Sequence, residues 1–212
     1  MPFSKLTRPI VLGSSSPGRH RVMVGLGVPF TVVPPGIDEK AVRAGSAEEL
    51  VRALGLAKAE AVIRELDAPA VVITSDQVVE WRGQILEKPA DADEARRWLI
   101  GYADEPPLVV TSVVVTDVVR GRDGLSVVNQ LIGVDSVFVR FRSMTPRVIE
   151  SAIKDGPVML NSGAIAVEHW SLAPYVEQLE GAGSDNENLD SLLGLPTRLL
   201  LWFLTKFRVG VD

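Results

Sequence analysis

The chain contains no cysteine and only two histidines, His20 and His169, among its 212 residues. Without cysteine, disulfides, thiolate metal sites and a cysteine nucleophile are excluded, so any catalysis must use oxygen and nitrogen groups. Two histidines cannot build a multi-histidine metal centre. A bound metal would therefore be held mainly by carboxylates, which suits Mg²⁺ or Mn²⁺.

Long apolar runs are also absent. Residues 9–13 form too short a run for a signal peptide, and no small-residue cleavage site follows them. The longest later run, residues 199–204, is too short to span a bilayer. We therefore expect a cytoplasmic protein without a membrane partner.

No acidic residue precedes Asp38, although the whole chain has a formal net charge of −5. The acid-free segment contains Lys5, Arg8, Arg19 and Arg21. The net negative charge argues against a general nucleic-acid partner. A basic segment in an acidic protein suits a small anionic ligand, although chance gives the same asymmetry.

The composition, 46% hydrophobic and 23% charged, is that of an ordinary globular domain. No repeat, low-complexity stretch or linker divides the chain. We predict a single domain over residues 1–212, and a two-lobed shape around a central cleft is an open alternative.

The order of the predicted elements indicates an α/β fold, with a mixed, twisted central sheet and flanking helices. Two β-branched runs, residues 108–119 and 125–142, predict a long antiparallel hairpin in the middle. The capping-box pattern of Ser46 and Glu49 predicts a helix to about residue 66. The apolar stripe of that helix comprises Leu50, Leu54, Ala57 and Ala61.

Four sets of polar residues follow strands or begin helices, where side chains of an α/β fold meet in a cleft. The first is the serine-rich turn at residues 14–19, which leads into a helix. Backbone N–H groups and the helix dipole favour a phosphate there, and Arg19 can bind it bidentately. The alternative is a turn that only caps the helix.

Two further sets carry carboxylates. Asp38 and Glu39 follow a proline–glycine loop, and adjacent exposed carboxylates are usually only solvated. Asp76 comes soon after the apolar run 70–74, where an acid is costly unless it has a partner or a metal. Asp76 is therefore the strongest candidate, with a helix cap or a buried ion pair as the alternative.

The last set is a pair of lysines. Lys58 lies on the flank of the apolar helical stripe, and Lys88 follows a predicted hairpin at residues 78–86. Two lysines can neutralise a polyphosphate, although most lysines only aid solubility.

In their order, these segments resemble the Maf-like nucleotide pyrophosphatases. The matching blocks begin with Leu-Gly-Ser-Ser-Ser-Pro-Gly-Arg-His at residues 12–20 and Ile-Thr-Ser-Asp-Gln-Val-Val at residues 73–79. Lys-Pro at 88–89, Thr-Ser-Val-Val-Val at 111–115 and Leu-Gly-Leu-Pro at 193–196 continue in register. The resemblance extends from about residue 9 to residue 200. No block alone is specific, but the ordered set is.

The resemblance implies hydrolysis of a nucleoside triphosphate between its α- and β-phosphates, with Mg²⁺ or Mn²⁺ as cofactor and a homodimer as assembly. It implies that phosphates are bound by Ser14, Ser16, Arg19, Lys58 and Lys88. Glu39 and Asp76 would hold the metal, and Asp76 with the two lysines would be catalytic. Such chemistry needs charge neutralisation and a positioned water rather than covalent help from the protein.

The chain departs from the family's pattern at several positions. Gly18 and His20 stand where the family has arginine, Ala57 replaces a glutamate, and Ser112 replaces a glycine. Residues 181–191 are expected to form a longer loop than usual. Gly18 and Ala57 favour an alternative function, a nucleotide-binding regulator of division or cell shape without turnover.

Two positions bear on the base. Gln77 and Glu168 resemble the residues found at these positions in the branch of the family that prefers 7-methyl-GTP over dTTP and UTP. A glutamate can accept hydrogen bonds from the guanine N1–H and exocyclic amine, and it favours the positive charge of N7 methylation. The alternative is that Glu168 is a surface acid beside His169.

Overall fold

The computed structural model describes residues 8–207, so Lys5 of the basic segment lies outside the described part. The strands are β1 (Ile10–Leu12), β2 (Phe30–Val32), β3 (Ala70–Thr74), β4 (Gln77–Trp81), β5 (Gln84–Leu86), β6 (Leu108–Gly121), β7 (Gly124–Phe141) and β8 (Val176–Glu180). The helices are α1 (Pro17–Gly25), α2 (Ala47–Arg64), α3 (Ala92–Gly101), α4 (Pro146–Asp155), α5 (Pro157–Leu160), α6 (Asp185–Leu192) and α7 (Thr197–Lys206). Within residues 8–207, no helix has the length and apolar character needed to cross a membrane.

These strands form one mixed sheet, as the sequence predicts. β1 is parallel to both β2 and β3, whereas the other neighbouring strands are antiparallel. The predicted long hairpin is confirmed: β6 and β7 pair over almost their whole lengths, with a bulge after Asp117. The α/β fold with flanking helices is therefore confirmed as well.

One edge of β6 pairs with two strands in succession. Residues 114–118 pair with β3 and residues 108–111 pair with β4, in the same register. Between the two strands the chain passes through Ser75 and Asp76, and the Ser112 N–H donates to the Asp76 carbonyl at 2.9 Å. Asp76 therefore lies at an interruption in what is otherwise one continuous strand.

The two faces of the sheet pack against different helices. Successive residues of a strand point to opposite faces, and in β1 Leu12 belongs to the core under α1 and α7. Its neighbour Val11 packs on the side of α2, with Val62. Helices therefore pack on both faces of the sheet, on either side of the interruption at Asp76.

The helix α2 begins and ends close to the predicted positions, and Ser46 accepts from the Glu49 N–H as the capping pattern predicts. The predicted apolar stripe was wrong at Ala57 and Ala61, which are only half-buried. Lys58 instead lies within the buried face and is 4% exposed. The buried face comprises Ala47, Leu50, Val51, Leu54, Gly55, Lys58, Ala59 and Val62.

The expected loop at residues 181–191 was also wrong, because most of it forms α6. The N–H and hydroxyl of Ser184 donate to the Glu187 carboxylate at 2.9 and 2.8 Å, as in a capping box. This helix has eight mostly polar residues, so it lacks the apolar periodicity that identifies longer helices. The serine–glutamate spacing was the signal that could have located it.

Candidate active site

A cleft of about 550 Å³ opens beside the interruption between β3 and β4. This volume is in the range of small-ligand sites. The cleft is lined by every residue that the sequence predicts for the site: Ser14, Ser16, Arg19, Glu39, Lys58, Asp76, Gln77, Lys88 and Glu168. Residues from distant parts of the chain thus meet in one place, although their roles remain predictions.

The centre of the cleft is an ion-paired group of three side chains. The Lys58 ammonium forms a salt bridge with the Asp76 carboxylate and a second one of 2.7 Å with Glu39. The side chains of Lys58 and Asp76 are almost fully buried, whereas Glu39 is 56% exposed. The buried-ion-pair alternative for Asp76 is therefore observed, but within a cleft, where the pair can also meet a ligand.

Contacts of two serine hydroxyls fix the backbone around Asp76. The Ser112 hydroxyl accepts from the Asp76 N–H at 3.1 Å and donates to the Val51 carbonyl at 2.7 Å. The Ser75 hydroxyl lies 2.6 Å from the carbonyls of both Ser112 and Gly194. Ser112, where the family's pattern has glycine, thus ties the carboxylate-bearing residue to both β6 and α2.

The surroundings change the proton affinities of the two carboxylates in opposite directions. Burial raises the pKa of Asp76, and although Lys58 and Arg19 oppose burial, the net shift is upward. Burial also acts to raise the pKa of Glu39, but the hydrogen bond and charge of Lys58, with Arg19 and Lys88, outweigh it and the net shift is downward. Asp76 is therefore the better proton acceptor of the two.

The serine-rich turn and the start of α1 form one end of the cleft. Arg19 donates from Nε to the Gly194 carbonyl at 2.9 Å and from Nη1 to the Ser14 hydroxyl at 3.2 Å, which leaves Nη2 unpaired among residues 8–207. Ser16 occupies the N-cap position, but its side chain makes no capping hydrogen bond. The cap alternative for this serine is thus not observed, and the end of α1 can receive an anion.

A divalent metal is compatible with this donor set. Within the described part of the chain, no group of three or more histidine or acidic side chains could hold a metal ion. Mg²⁺, however, is commonly bound through one or two carboxylates together with substrate phosphates and water. Glu39 and Asp76 supply two such carboxylates, both of which now contact Lys58.

The side chain of Gln77 is already engaged by the protein. Its amide nitrogen lies 2.9 Å from Thr111 Oγ1 and 2.9 and 3.2 Å from the carbonyls of Ser191 and Leu192. Gln77 follows Asp76 in the strand direction and points to the opposite face, toward the end of α6. It lines the cleft, but its donor groups hold the Ser191–Leu192 backbone.

Glu168 lies at another part of the cleft wall and is exposed. The segment also contributes Ile165 and Val167, and α5 contributes the exposed Leu160. His169, the next residue, is turned away into a contact of 2.8 Å between its Nδ1 and the Ser171 hydroxyl. Glu168 is thus both a surface acid and a cleft residue. Its position is compatible with both interpretations from the sequence, contact with the base and a surface acid without a role.

Residues 9–207 match the sequence model of the family described as Maf-like protein. The chain belongs to the Maf-like protein family. The family predicted from the resemblance is therefore confirmed, over nearly the whole length.

Similar proteins include a 7-methyl-GTP pyrophosphatase of Dictyostelium discoideum, 35% identical over 91% of this chain and 94% of that protein. A dTTP/UTP pyrophosphatase of Symbiobacterium thermophilum is 32% identical over 93% of each chain. A nucleoside triphosphate pyrophosphatase of a Synechococcus species is 33% identical over 82% of this chain and 84% of that protein. The names of these Maf-like relatives all specify a pyrophosphatase. They differ in the nucleotide that they name as substrate.

The structure accounts for two departures from the Maf-like pattern. A Cβ on Gly18 would lie 2.5 Å from the Leu193 carbonyl oxygen, so no side chain fits there without a shift of the backbone. Ala57 is half-buried on α2 and is not among the residues that line the cleft. Neither departure removes one of the side chains that meet around Asp76.

Some residues of this Maf-like cleft were missed at the level of sequence. Asn161 and Ser162 add polar groups, and Arg21 adds a cation. Of the basic N-terminal segment, Arg8 instead pairs with Asp117 at 2.6 Å on β6. The basic N-terminal segment was the signal that could have identified Arg21. Charge alone, however, could not show that Arg21 lines the cleft and that Arg8 does not.

Proposed function

We propose that this protein hydrolyses a nucleoside triphosphate to the monophosphate and pyrophosphate. The single observation that carries the proposal is the buried Lys58–Asp76 pair, which lies in an open cleft beside Glu39. A buried ion pair is a poor stabilising device, so its location in a cleft argues for a chemical role. The names of the Maf-like relatives support the same reaction.

In this mechanism the oxygen of a water molecule bonds to phosphorus, and the bridging P–O bond between the α- and β-phosphates breaks. The products are the monophosphate and pyrophosphate, and the water gives up one proton. Asp76 is the acceptor, because its carboxylate lies at the centre of the cleft and its backbone is fixed by Ser112. Mg²⁺ or Mn²⁺ held by Glu39 and Asp76 would neutralise phosphate charge and lower the pKa of water.

The cationic residues stabilise the charge that develops on the phosphates. Lys58 meets the reacting group from α2, Arg19 presents its free Nη2 from α1, and Lys88 enters from the loop after β5. Such charges are held in place by the protein and need little reorganisation when charge develops on the phosphates. Ser14 and Ser16 would complete phosphate binding at the start of α1.

For the substrate we propose 7-methyl-GTP or another modified guanine triphosphate. The support is Glu168, an acceptor without a partner among the described side chains, and the 7-methyl-GTP pyrophosphatase among the relatives. The dTTP/UTP pyrophosphatases among the relatives are the reason to test pyrimidines beside it. In this proposal Gln77 affects the choice of base indirectly, because it holds the Ser191–Leu192 backbone. A cytoplasmic homodimer that binds neither nucleic acid nor membrane completes the proposal.

The test is pyrophosphate release from a panel of canonical and modified nucleoside triphosphates, with Mg²⁺, with Mn²⁺ and with a chelator. We expect turnover that needs a divalent metal. Nucleotide binding without pyrophosphate release would instead support the alternative, a regulator that has lost turnover. Release of inorganic phosphate rather than pyrophosphate would contradict the proposed bond cleavage.

A further inference from the structure

We propose that Arg21 binds the polyphosphate of the substrate and acts as the phosphate-binding cation that position 18 cannot carry. The inference rests on the proposed function for the identity of the ligand. Its structural basis is independent of the reaction, because Arg21 lies in the cleft wall with the serine-rich turn and Arg19.

The first step is the position of Arg21 on α1. Gly18 and Arg21 are three residues apart, so they lie on the same face of the helix, one turn apart. Helical side chains lean toward the N-terminus of their helix. The side chain of Arg21 therefore extends over the turn at Gly18, which is where the helix start meets the cleft.

The second step is that position 18 itself has no side chain. The Leu193 carbonyl oxygen lies 2.5 Å from the ideal Cβ position of Gly18. A longer residue at 18 would have to displace the backbone before α7. A cation on the Gly18 side of α1 must therefore come from another position, and Arg21, three residues later, also lines the cleft.

The third step is the availability of the cations. Arg19 already donates to Gly194 and Ser14, and Lys58 is bound by two carboxylates. The side chain of Arg21, in contrast, is exposed and has no hydrogen bond or ion pair with any residue in the range 8–207. Its guanidinium can thus meet a ligand without first breaking an interaction within the protein.

The fourth step is the charge of the cleft. Four cationic side chains line it, Arg19, Arg21, Lys58 and Lys88. Three acidic side chains, Glu39, Asp76 and Glu168, oppose them. Without Arg21 the charges of the protein side chains alone would balance, before any metal binds. Arg21 thus gives the protein lining of the cleft a net positive charge, to which a metal would add.

The experiment measures binding of inorganic tripolyphosphate by calorimetry, in the presence of Mg²⁺, to the whole protein. The variants are Arg21→Gln, which removes the charge and keeps the length, and Arg21→Lys, which keeps the charge. Arg122→Gln is the matched control, because Arg122 is an exposed arginine in the turn between β6 and β7.

We expect Arg21→Gln to weaken tripolyphosphate binding about tenfold or more, as for loss of a charged hydrogen bond. Arg21→Lys should recover part of the loss, and Arg122→Gln should bind like the wild type. Wild-type affinity of Arg21→Gln, or an equal loss in Arg122→Gln, would overturn the inference. If the wild type hydrolyses no nucleotide but Arg21→Gln still binds tripolyphosphate more weakly, the proposed function fails and the anion site stands.

Discussion

The side chains of Lys58 and Asp76 form a salt bridge in which both are almost fully buried, 5% and 7% exposed. Replacing Asp76 with asparagine keeps the shape and removes the charge. Lys58 keeps a second carboxylate, Glu39, at 2.7 Å, so its charge is not left alone in the protein. We therefore expect Asp76→Asn to abolish pyrophosphate release while the protein stays folded by circular dichroism.

Asp117→Asn is the matched control for that variant. Asp117 is also a buried aspartate paired with one cation, Arg8, but it does not line the cleft. It should lose stability and keep the kcat of the wild type. Near-wild-type turnover of Asp76→Asn would mean that Asp76 has a structural role and that the mechanism is wrong.

Ser112→Ala should lower kcat through a change in the position of Asp76. The variant leaves the buried Asp76 N–H without its acceptor and removes the hydroxyl that donates to the Val51 carbonyl within α2. Such losses cost about 1–3 kcal/mol each at most, so a lower melting temperature is expected with the lower kcat. Thr116→Ala is the control, since Thr116 is a buried hydroxyl of the same strand, bonded to Gln130 rather than to the cleft. A Ser112→Ala protein with unchanged kcat would exclude this positioning role.

Removal of each cation that we propose to bind phosphate should lower kcat/KM. Lys88→Ala is the cleanest case, because no hydrogen bond or ion pair joins Lys88 to another residue of the described part. If the lysines act on charge in the transition state, Lys58→Ala and Lys88→Ala lower kcat and not only raise KM. Unchanged kinetics in both lysine variants and in Arg19→Ala would contradict the polyphosphate cleft.

Much of the fold follows from local patterns in the sequence. The strand Ala70–Thr74 and the hairpin of β6 and β7 are strongly β-branched, and the capping pair of Ser46 and Glu49 marks the start of α2. The short strand β8 lacks such patterns, and α6 has a capping pair but no apolar periodicity, so neither element was predicted. Local propensity cannot supply the neighbours that stabilise a short polar element.

The site was predictable as a set of residues but not as a set of contacts. Asp76 and Gln77 are adjacent in sequence, which suggests a shared role, yet one bonds Lys58 and the other bonds the end of α6. The alternation of a strand explains the difference. The close contact of Gly18 with Leu193 joins positions far apart in sequence, and no local signal indicates it.

Gly18→Ala tests whether the protein needs a residue without a side chain beside the Leu193 carbonyl. The Leu193 carbonyl is backbone and cannot rotate away like a side chain, so the variant must shift either α1 or the segment before α7. We expect a lower melting temperature, by an overpacking cost of about 1–3 kcal/mol, and weaker nucleotide binding. Gly25→Ala is the control, because nothing lies within 4 Å of a Cβ there. Equal stability of the two variants would contradict this account of the departure at Gly18.

In the proposed function the choice of base depends on Glu168, an exposed carboxylate on the cleft wall. A carboxylate that faces the base can accept two hydrogen bonds from a guanine edge. Uracil and thymine offer one N–H between two carbonyl oxygens, so the carboxylate is partly unpaired and repelled. An unmatched acceptor costs on the order of 1–3 kcal/mol when desolvated, or about tenfold or more in selectivity.

We therefore expect a higher kcat/KM for 7-methyl-GTP than for dTTP or UTP, and Glu168→Gln should narrow the difference by lowering the value for 7-methyl-GTP. Glu177→Gln is the matched control, because Glu177 is an exposed acid on β8 that does not line the cleft. Its selectivity should equal that of the wild type, since removal of a distant charge changes no contact with the base. A wild-type preference for dTTP or UTP would mean that Glu168 does not contact the base, and that Gln77 and Glu168 do not assign the substrate.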